Sequence, residues 1–208
     1  MLCAYQCESF LNVVMEYASG GSLWDILESS EGRLSDHDLE WWAPQCVSAI
    51  DWVHSRVGFV HRDIKPHNFV VRPGPSPRLL LIDFGSAAPL LKPDDDGVQR
   101  VQRSHCLVPC GTCDYISPEI LQAHEEALVA LEMSDNKRED VVDSDDDVPI
   151  RNRSGKKILQ GDLGYGRETD WWSLGAMLYE LAFGIAPFFA SDIRQTYARI
   201  MNHEVRRQ

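Results

Sequence analysis

His61-Arg62-Asp63-Ile64-Lys65-Pro66-His67-Asn68 decides how this chain is read, together with Asp83-Phe84-Gly85 on the far side of a short apolar hairpin. Two acids and an amide at this spacing can meet in one site. Asp63 can accept a proton from a hydroxyl nucleophile. Asn68 and Asp83 offer hard oxygen ligands suited to Mg2+, which takes a few protein oxygens and completes its shell with substrate phosphates. Lys65 can neutralise charge on a transferring phosphoryl group. Phosphoryl transfer needs these parts because its catalysis is mostly positioning and electrostatics.

The segments on either side sort into an α+β pattern. Residues 10–17 form an apolar run broken by Ser19-Gly20-Gly21, which alone reads as a buried strand leaving into a turn. Residues 22–29 read as a short helix, and 35 to about 57 as a long amphipathic one. Leu39, Ala43, Cys46, Ile50 and Val53 lie on one face of that long helix. Ser35 with Asp38 makes a variant of the capping box, and Pro44 predicts a kink. Short strands are predicted at 59–60, 69–71 and 79–82. The turn-rich link 72–78 sets Asn68 and Asp83 at the mouth of a hairpin. The apolar stretch 170–183 reads as a helix buried on all sides, and 191–202 as one more helix.

Composition narrows the function classes. The chain has 208 residues and a net charge of −12, from 32 acidic and 20 basic residues. That balance argues against nucleic acid as a partner and suits basic peptides. No apolar run reaches the length of a membrane span, and no signal peptide is evident at the start. The six cysteines (3, 7, 46, 106, 110 and 113) are expected to be reduced thiols in a cytoplasmic protein. His105, Cys106, Cys110 and Cys113 have a spacing within range for zinc, but plain thiols are the stronger reading. Residues 134–160 hold an acidic run with few large apolar side chains and are read as a disordered insertion.

Two further stretches fix a family resemblance. Gly111-Thr112-Cys113-Asp114-Tyr115-Ile116-Ser117-Pro118-Glu119 resembles the end of a kinase activation segment. Asp170-Trp171-Trp172-Ser173-Leu174-Gly175 resembles the start of the buried helix of the kinase large lobe. With 61–68 and 83–85 they make four motifs in order, and the chain resembles eukaryotic protein kinases. Within them it resembles the AGC group, and best the branch of the myotonic dystrophy and Rho-associated kinases. The branch rests on Asp114 to Leu121, on Asp83 to Ser86 and on 168–203. The resemblance covers nearly all of the chain outside about 123–163.

The resemblance implies a serine/threonine kinase that uses ATP and Mg2+. Asp63 is then the catalytic base, with Lys65 and Thr112 around it, and Asn68 and Asp83 are the metal ligands. Met15 falls behind the adenine, Glu16 and Ala18 on the hinge, and Ser22 where an acid often holds the ribose. Glu180 matches an acid that binds a substrate arginine. Arg62, Phe84, Gly85, Glu119 and Asp170 match activation-segment and structural positions. Val108 stands where many AGC kinases carry a phosphorylatable threonine, so Arg62 is expected to find another partner or none. The activation segment is then held by packing, with dimerisation of the full-length protein as in relatives of that branch. Cys113 replaces the proline usual after Thr112.

In this frame residues 1–18 are a remnant of the small lobe and hinge, and 19–208 a large lobe truncated at its C-terminus. The glycine-rich loop, the small-lobe lysine and the arginine that usually pairs with the Glu119 position are missing. The 208-residue chain is therefore expected to be inactive alone. A second class stays open here, a pseudokinase or scaffold that binds partners without catalysis. The intact catalytic loop favours the enzyme, and the missing small-lobe parts favour the scaffold for the chain as given.

Overall fold

The computed structural model describes residues 2–95, 97–106, 110–126 and 164–205. The acidic stretch 134–160 and Val108 lie outside the described residues. The fold is α+β, and the described residues form three separate two-stranded antiparallel sheets set among helices.

Strands β1 (Cys3–Cys7) and β2 (Phe10–Val14) pair in register Cys3↔Val14 to Cys7↔Phe10. The sequence pattern predicts a buried strand at 10–17, but β1 and β2 are exposed along their whole length apart from the half-covered Asn12. Among the described residues no helix packs on either face of this hairpin. Met15, read as lying behind an adenine, is 65% exposed.

Helix α1 (Leu23–Ser29) begins at a full capping box: the Ser22 hydroxyl accepts from Asp25 N at 3.2 Å, and Asp25 Oδ2 accepts from Ser22 N at 2.6 Å. Both exchanges satisfy helix-end donors that would otherwise be orphaned. Helix α2 (Asp36–Trp52) is capped by the Ser35 hydroxyl, which accepts from Asp38 N at 3.2 Å. It runs through Pro44 without ending there, and a widened last turn, Val53–Val57, carries it to Gly58.

Strand β3 (Phe59–Val60) pairs with β6 (Ala88–Pro89), a partnership the periodicity did not reveal. Strands β4 (Phe69–Arg72) and β5 (Arg78–Leu81) form the expected hairpin, in register Phe69↔Leu81 to Arg72↔Arg78. Its edge is strapped to the segment after β2: Gly20 N donates to Val71 O at 3.0 Å and Val71 N to Gly21 O at 2.7 Å. A Cβ at residue 20 would stand 2.7 Å from Val71 O, so only glycine permits the approach.

Residues 118–126 are helical (α3). Helix α4 (Glu168–Phe183) buries a broad face through Thr169, Asp170, Ser173, Leu174, Met177 and Leu181. It is not buried on all sides as its apolar run suggested. Trp171 and Gly175 face outward one turn apart, and Phe183 is exposed at the end. Helix α5 (Ile193–Met201) is capped by Asp192.

Two apolar clusters result. One joins α1, α2, β4 and α4 through Leu23, Ile50, Ile64, Phe69, Met177 and Leu181. The other gathers Val60, Val101, Ile116, Tyr165, Phe188 and Ile200. The 61–68 loop crosses between them, with Val60 in one cluster and Ile64 in the other, so packing fixes it at both ends.

Candidate active site

Three main-chain and side-chain donors converge on Asp170. Its carboxylate is fully buried and accepts from His61 N at 2.8 Å, Arg62 N at 2.7 Å and His54 Nε2 at 2.7 Å. A buried carboxylate is tolerable only when so bonded. Asp170 therefore holds the catalytic-loop backbone where the motif places it. His54 was not singled out in the sequence. It lies seven residues before His61 in the turn after α2, and only the fold brings it to Asp170. Arg62 and Asp83 both have left-handed backbones, at φ 68° and 64°. Such strain in non-glycine residues gathers at functional sites.

Around Asp63 the loop closes a triangle. Lys65 Nζ donates to Asp63 Oδ2 at 2.7 Å and to Thr112 Oγ1 at 3.1 Å. Thr112 Oγ1 in turn donates to Asp63 Oδ1 at 2.9 Å. Asn68 Nδ2 donates to the Asp63 carbonyl at 2.8 Å and to Oδ2 at 3.2 Å. Thr112 reaches in because Gly111, at φ 103°, passes so close that a Cβ would stand 2.6 Å from Arg62 O. Burial pushes the Asp63 carboxyl up, but the bonds from Lys65, Thr112 and Asn68 outweigh it and hold the group below the ordinary carboxylate range. Asp63 is thus ionised at neutral pH and fixed in direction, with Lys65 beside it.

Across the hairpin mouth, Ile82 N donates to Asn68 O at 2.9 Å, which sets Asp83 beside Asn68. Asp83 is exposed and spends one oxygen on Gly85 N at 3.2 Å. Phe84 meets the His61 ring edge-on at 5.0 Å. Because Asn68 turns its amide nitrogen to Asp63, its amide oxygen is the atom on offer to a cation. A buried amide oxygen and an exposed carboxylate at one hairpin mouth are hard donors, so the residues present fit Mg2+. Among the described residues no group of three or more His, Cys, Asp or Glu could hold a metal ion, so the zinc spacing at 105–113 is not assembled there. None of the six cysteines is in a disulfide in the described structure.

The residues read as nucleotide contacts are spread along the edge of this site. Glu16 is pinned by Arg72, with Nη2 2.6 Å from Oε1. Ala18 is half-buried just before the strapped glycines. The Ser22 hydroxyl is engaged with Asp25, donating to Oδ2 at 2.8 Å, so the position that lacks an acid has one against it. The sequence signal for Asp25 was the Ser-x-x-Asp spacing of the cap, which had been weighed only at Ser35. Backbone and side-chain bonds from Ser22 hold the Asp25 carboxyl below its ordinary range.

Glu180 accepts a hydrogen bond from the Tyr115 hydroxyl, and burial pushes its carboxyl above the ordinary range. One Glu119 oxygen is buried with no hydrogen-bond partner among the described residues. Arg62 has found other partners: Nε donates to Ser86 O at 2.5 Å, and Nη1 to His105 O at 2.6 Å and Tyr165 Oη at 2.9 Å.

The chain has similar counterparts among known proteins. The protein kinase domain family matches residues 1–133. The chain is 38% identical over 205 residues to the serine/threonine-protein kinase MRCK beta of Homo sapiens, covering 99% of this chain and 9% of that protein. It is 37% identical to MRCK alpha of Mus musculus over 205 residues, again 99% and 9%. MRCK gamma of Homo sapiens is 37% identical over 201 residues, covering 97% and 10%. The chain thus spans about a tenth of the length of these relatives. These matches agree with the AGC branch read from the motifs.

Proposed function

The chain belongs to the protein kinase domain family, and from that premise we propose that the protein carrying it transfers the γ-phosphoryl group of MgATP to a serine or threonine hydroxyl of a protein substrate. The observation that carries this reading is the closed triangle of Asp63, Lys65 and Thr112, with Asn68 bracing it. An ionised acid locked in direction beside a cation is what in-line transfer to a hydroxyl requires.

In this reading the substrate hydroxyl oxygen forms a bond to the γ-phosphorus as the bond from that phosphorus to the β–γ bridging oxygen breaks. ADP leaves with the electron pair. Asp63 orients the hydroxyl and takes its proton. Lys65 offsets charge on the transferring group, and Thr112 fixes both. Asn68 and Asp83 would hold Mg2+, which supplies charge neutralisation on the phosphates when bound. Met15, Glu16 and Ala18 face the adenine. Asp25, through Ser22, provides the negative charge beside the ribose. Glu180 takes a basic substrate side chain by way of Tyr115. Phe84 and Gly85 shape the turn that carries Asp83, and Glu119 and Asp170 anchor the segments on either side. The net charge of −12 favours basic protein substrates. A cytoplasmic kinase that dimerises in full length fits the same reading.

The test is phosphotransfer from γ-labelled ATP by the full-length protein and its Asp63→Ala variant. Loss of about 10²–10⁴-fold in kcat, with MgATP binding retained, is expected. A variant rate close to the parent's would sink the assignment.

A further inference from the structure

Arg62 is only 9% exposed, yet among the described residues it is in no ion pair. A buried guanidinium without a counter-ion persists only if its donors are met by well-placed acceptors. Here three acceptors come from three segments. Ser86 O lies just past the Asp83 turn, His105 O on the short turn Arg103–His105, and Tyr165 Oη just ahead of α4. Two are main-chain carbonyls, which no side-chain substitution removes. The third is the one side-chain acceptor in the set.

Tyr165 is well held for such a task. It is 1% exposed in the cluster of Val60, Val101 and Ile116, and its own carbonyl accepts from Val101 N at 2.8 Å. The Cys110 thiol interacts with both the hydroxyl and Arg62. Arg62 is the residue next to Asp63, and its backbone is bonded to Asp170 and packed against Gly111, so the guanidinium shell and the Asp63 triangle share one rigid loop. Ser104, the hydroxyl nearest in sequence to the His105 carbonyl, is exposed and has no bond to Arg62.

We propose that Tyr165 is a positioning residue for phosphoryl transfer: its hydroxyl completes a neutral acceptor shell around Arg62 and so ties the Asp83 turn, the 103–105 turn and the catalytic loop together without an anion. The proposal rests on the kinase reading above. It makes the order of the activation segment depend on a phenolic oxygen built into the fold rather than on an added phosphate.

The experiment is Tyr165→Phe in the full-length protein, which keeps the buried ring and removes only the acceptor. A lost hydrogen bond to a charged group predicts a fall in kcat of about tenfold. The KM for MgATP should stay within about twofold, since Asp83 keeps its own bond from Gly85 N and neither Tyr165 nor Arg62 is among the proposed nucleotide contacts. Amide exchange over 99–105 should quicken. In an Arg62→Lys background, Tyr165→Phe should cost less than about twofold, because the partner it acts through is gone. Parental kcat with unchanged exchange overturns the proposal, and so does a penalty undiminished in the Arg62→Lys background. Exchange is read independently of turnover. A parent with no phosphotransfer, but with exchange that quickens in Tyr165→Phe, would defeat the kinase reading and leave the Arg62 shell standing. Turnover in the parent with no exchange response would do the reverse.

Discussion

Asp63 and Asp83 are two acids of one site, and the chain treats them in opposite ways. Asp63 is half-buried and bonded by Lys65, Thr112 and Asn68. Asp83 is exposed, bonded to Gly85 N and held by a strained backbone rather than by side chains. The difference suits the roles proposed for them. A group that orients a proton has to be fixed before substrate arrives, so its partners are built in. A group that binds a cation needs oxygens left open, so it can be fixed only through its backbone.

The largest effects should come from removing either acid in the full-length protein. Asp63→Ala and Asp83→Ala should each lower kcat by at least about 10²-fold. They should part on Mg2+ titration: Asp83→Ala raises the Mg2+ needed for half-maximal rate, and Asp63→Ala leaves it in place. An Mg2+ dependence that does not move in Asp83→Ala would break the contrast.

Next in size is the frame beneath Asp63. Asp170→Asn removes the charge that three buried donors share, at a cost of about 3 kcal/mol. A lower urea midpoint at unchanged slope would report it. An unchanged midpoint would mean that the loop is held without Asp170.

Smaller effects are expected from pH. The Asp63 carboxyl is depressed, so its contribution to stability is present above the ordinary carboxylate value of about 4 and fades as pH falls through the depressed one. Glu180 runs the other way. Burial raises its carboxyl, so it weakens the fold above the raised value and ceases to do so as pH falls through it. Glu180→Gln should therefore flatten the decline of stability between about 4.3 and that raised value, where Asp63→Asn should not. Equal changes in both variants would remove the distinction between a charge-paired acid and a desolvated one. The smallest effect is expected at Ser104. Phosphatase treatment and Ser104→Ala should leave kcat within about twofold, since Arg62 is already met by neutral acceptors. Loss of activity with the fold intact would mean that a phosphate is needed after all.

Much of the site could be read from residues close in sequence. Asp63, Lys65 and Asn68 lie within six residues, and a loop that short can bring them together only in a few ways. The caps at Ser22 and Ser35 are likewise three-residue exchanges. The strand at 10–14 was legible as a strand from its β-branched and apolar residues, but its burial was not. Periodicity shows which residues could be covered, and whether they are depends on what packs there. The apolar run at 170–183 misled for the same reason, since Trp171 and Phe183 are apolar and yet exposed.

What the sequence determined alone is therefore the chemistry and its local geometry: an acid, a cation and two metal-type oxygens on one hairpin, and the family they belong to. The tertiary structure decided who answers whom across long separations. His54 meets Asp170 over 116 residues, and Arg62 meets Tyr165 over 103. No local rule links such pairs, because their meeting follows from the packing of both clusters around the loop. Burial then settles the electrostatics. The sequence left Arg62 with another partner or none, and only the fold brings the Ser86 and His105 carbonyls and the Tyr165 hydroxyl to its donors.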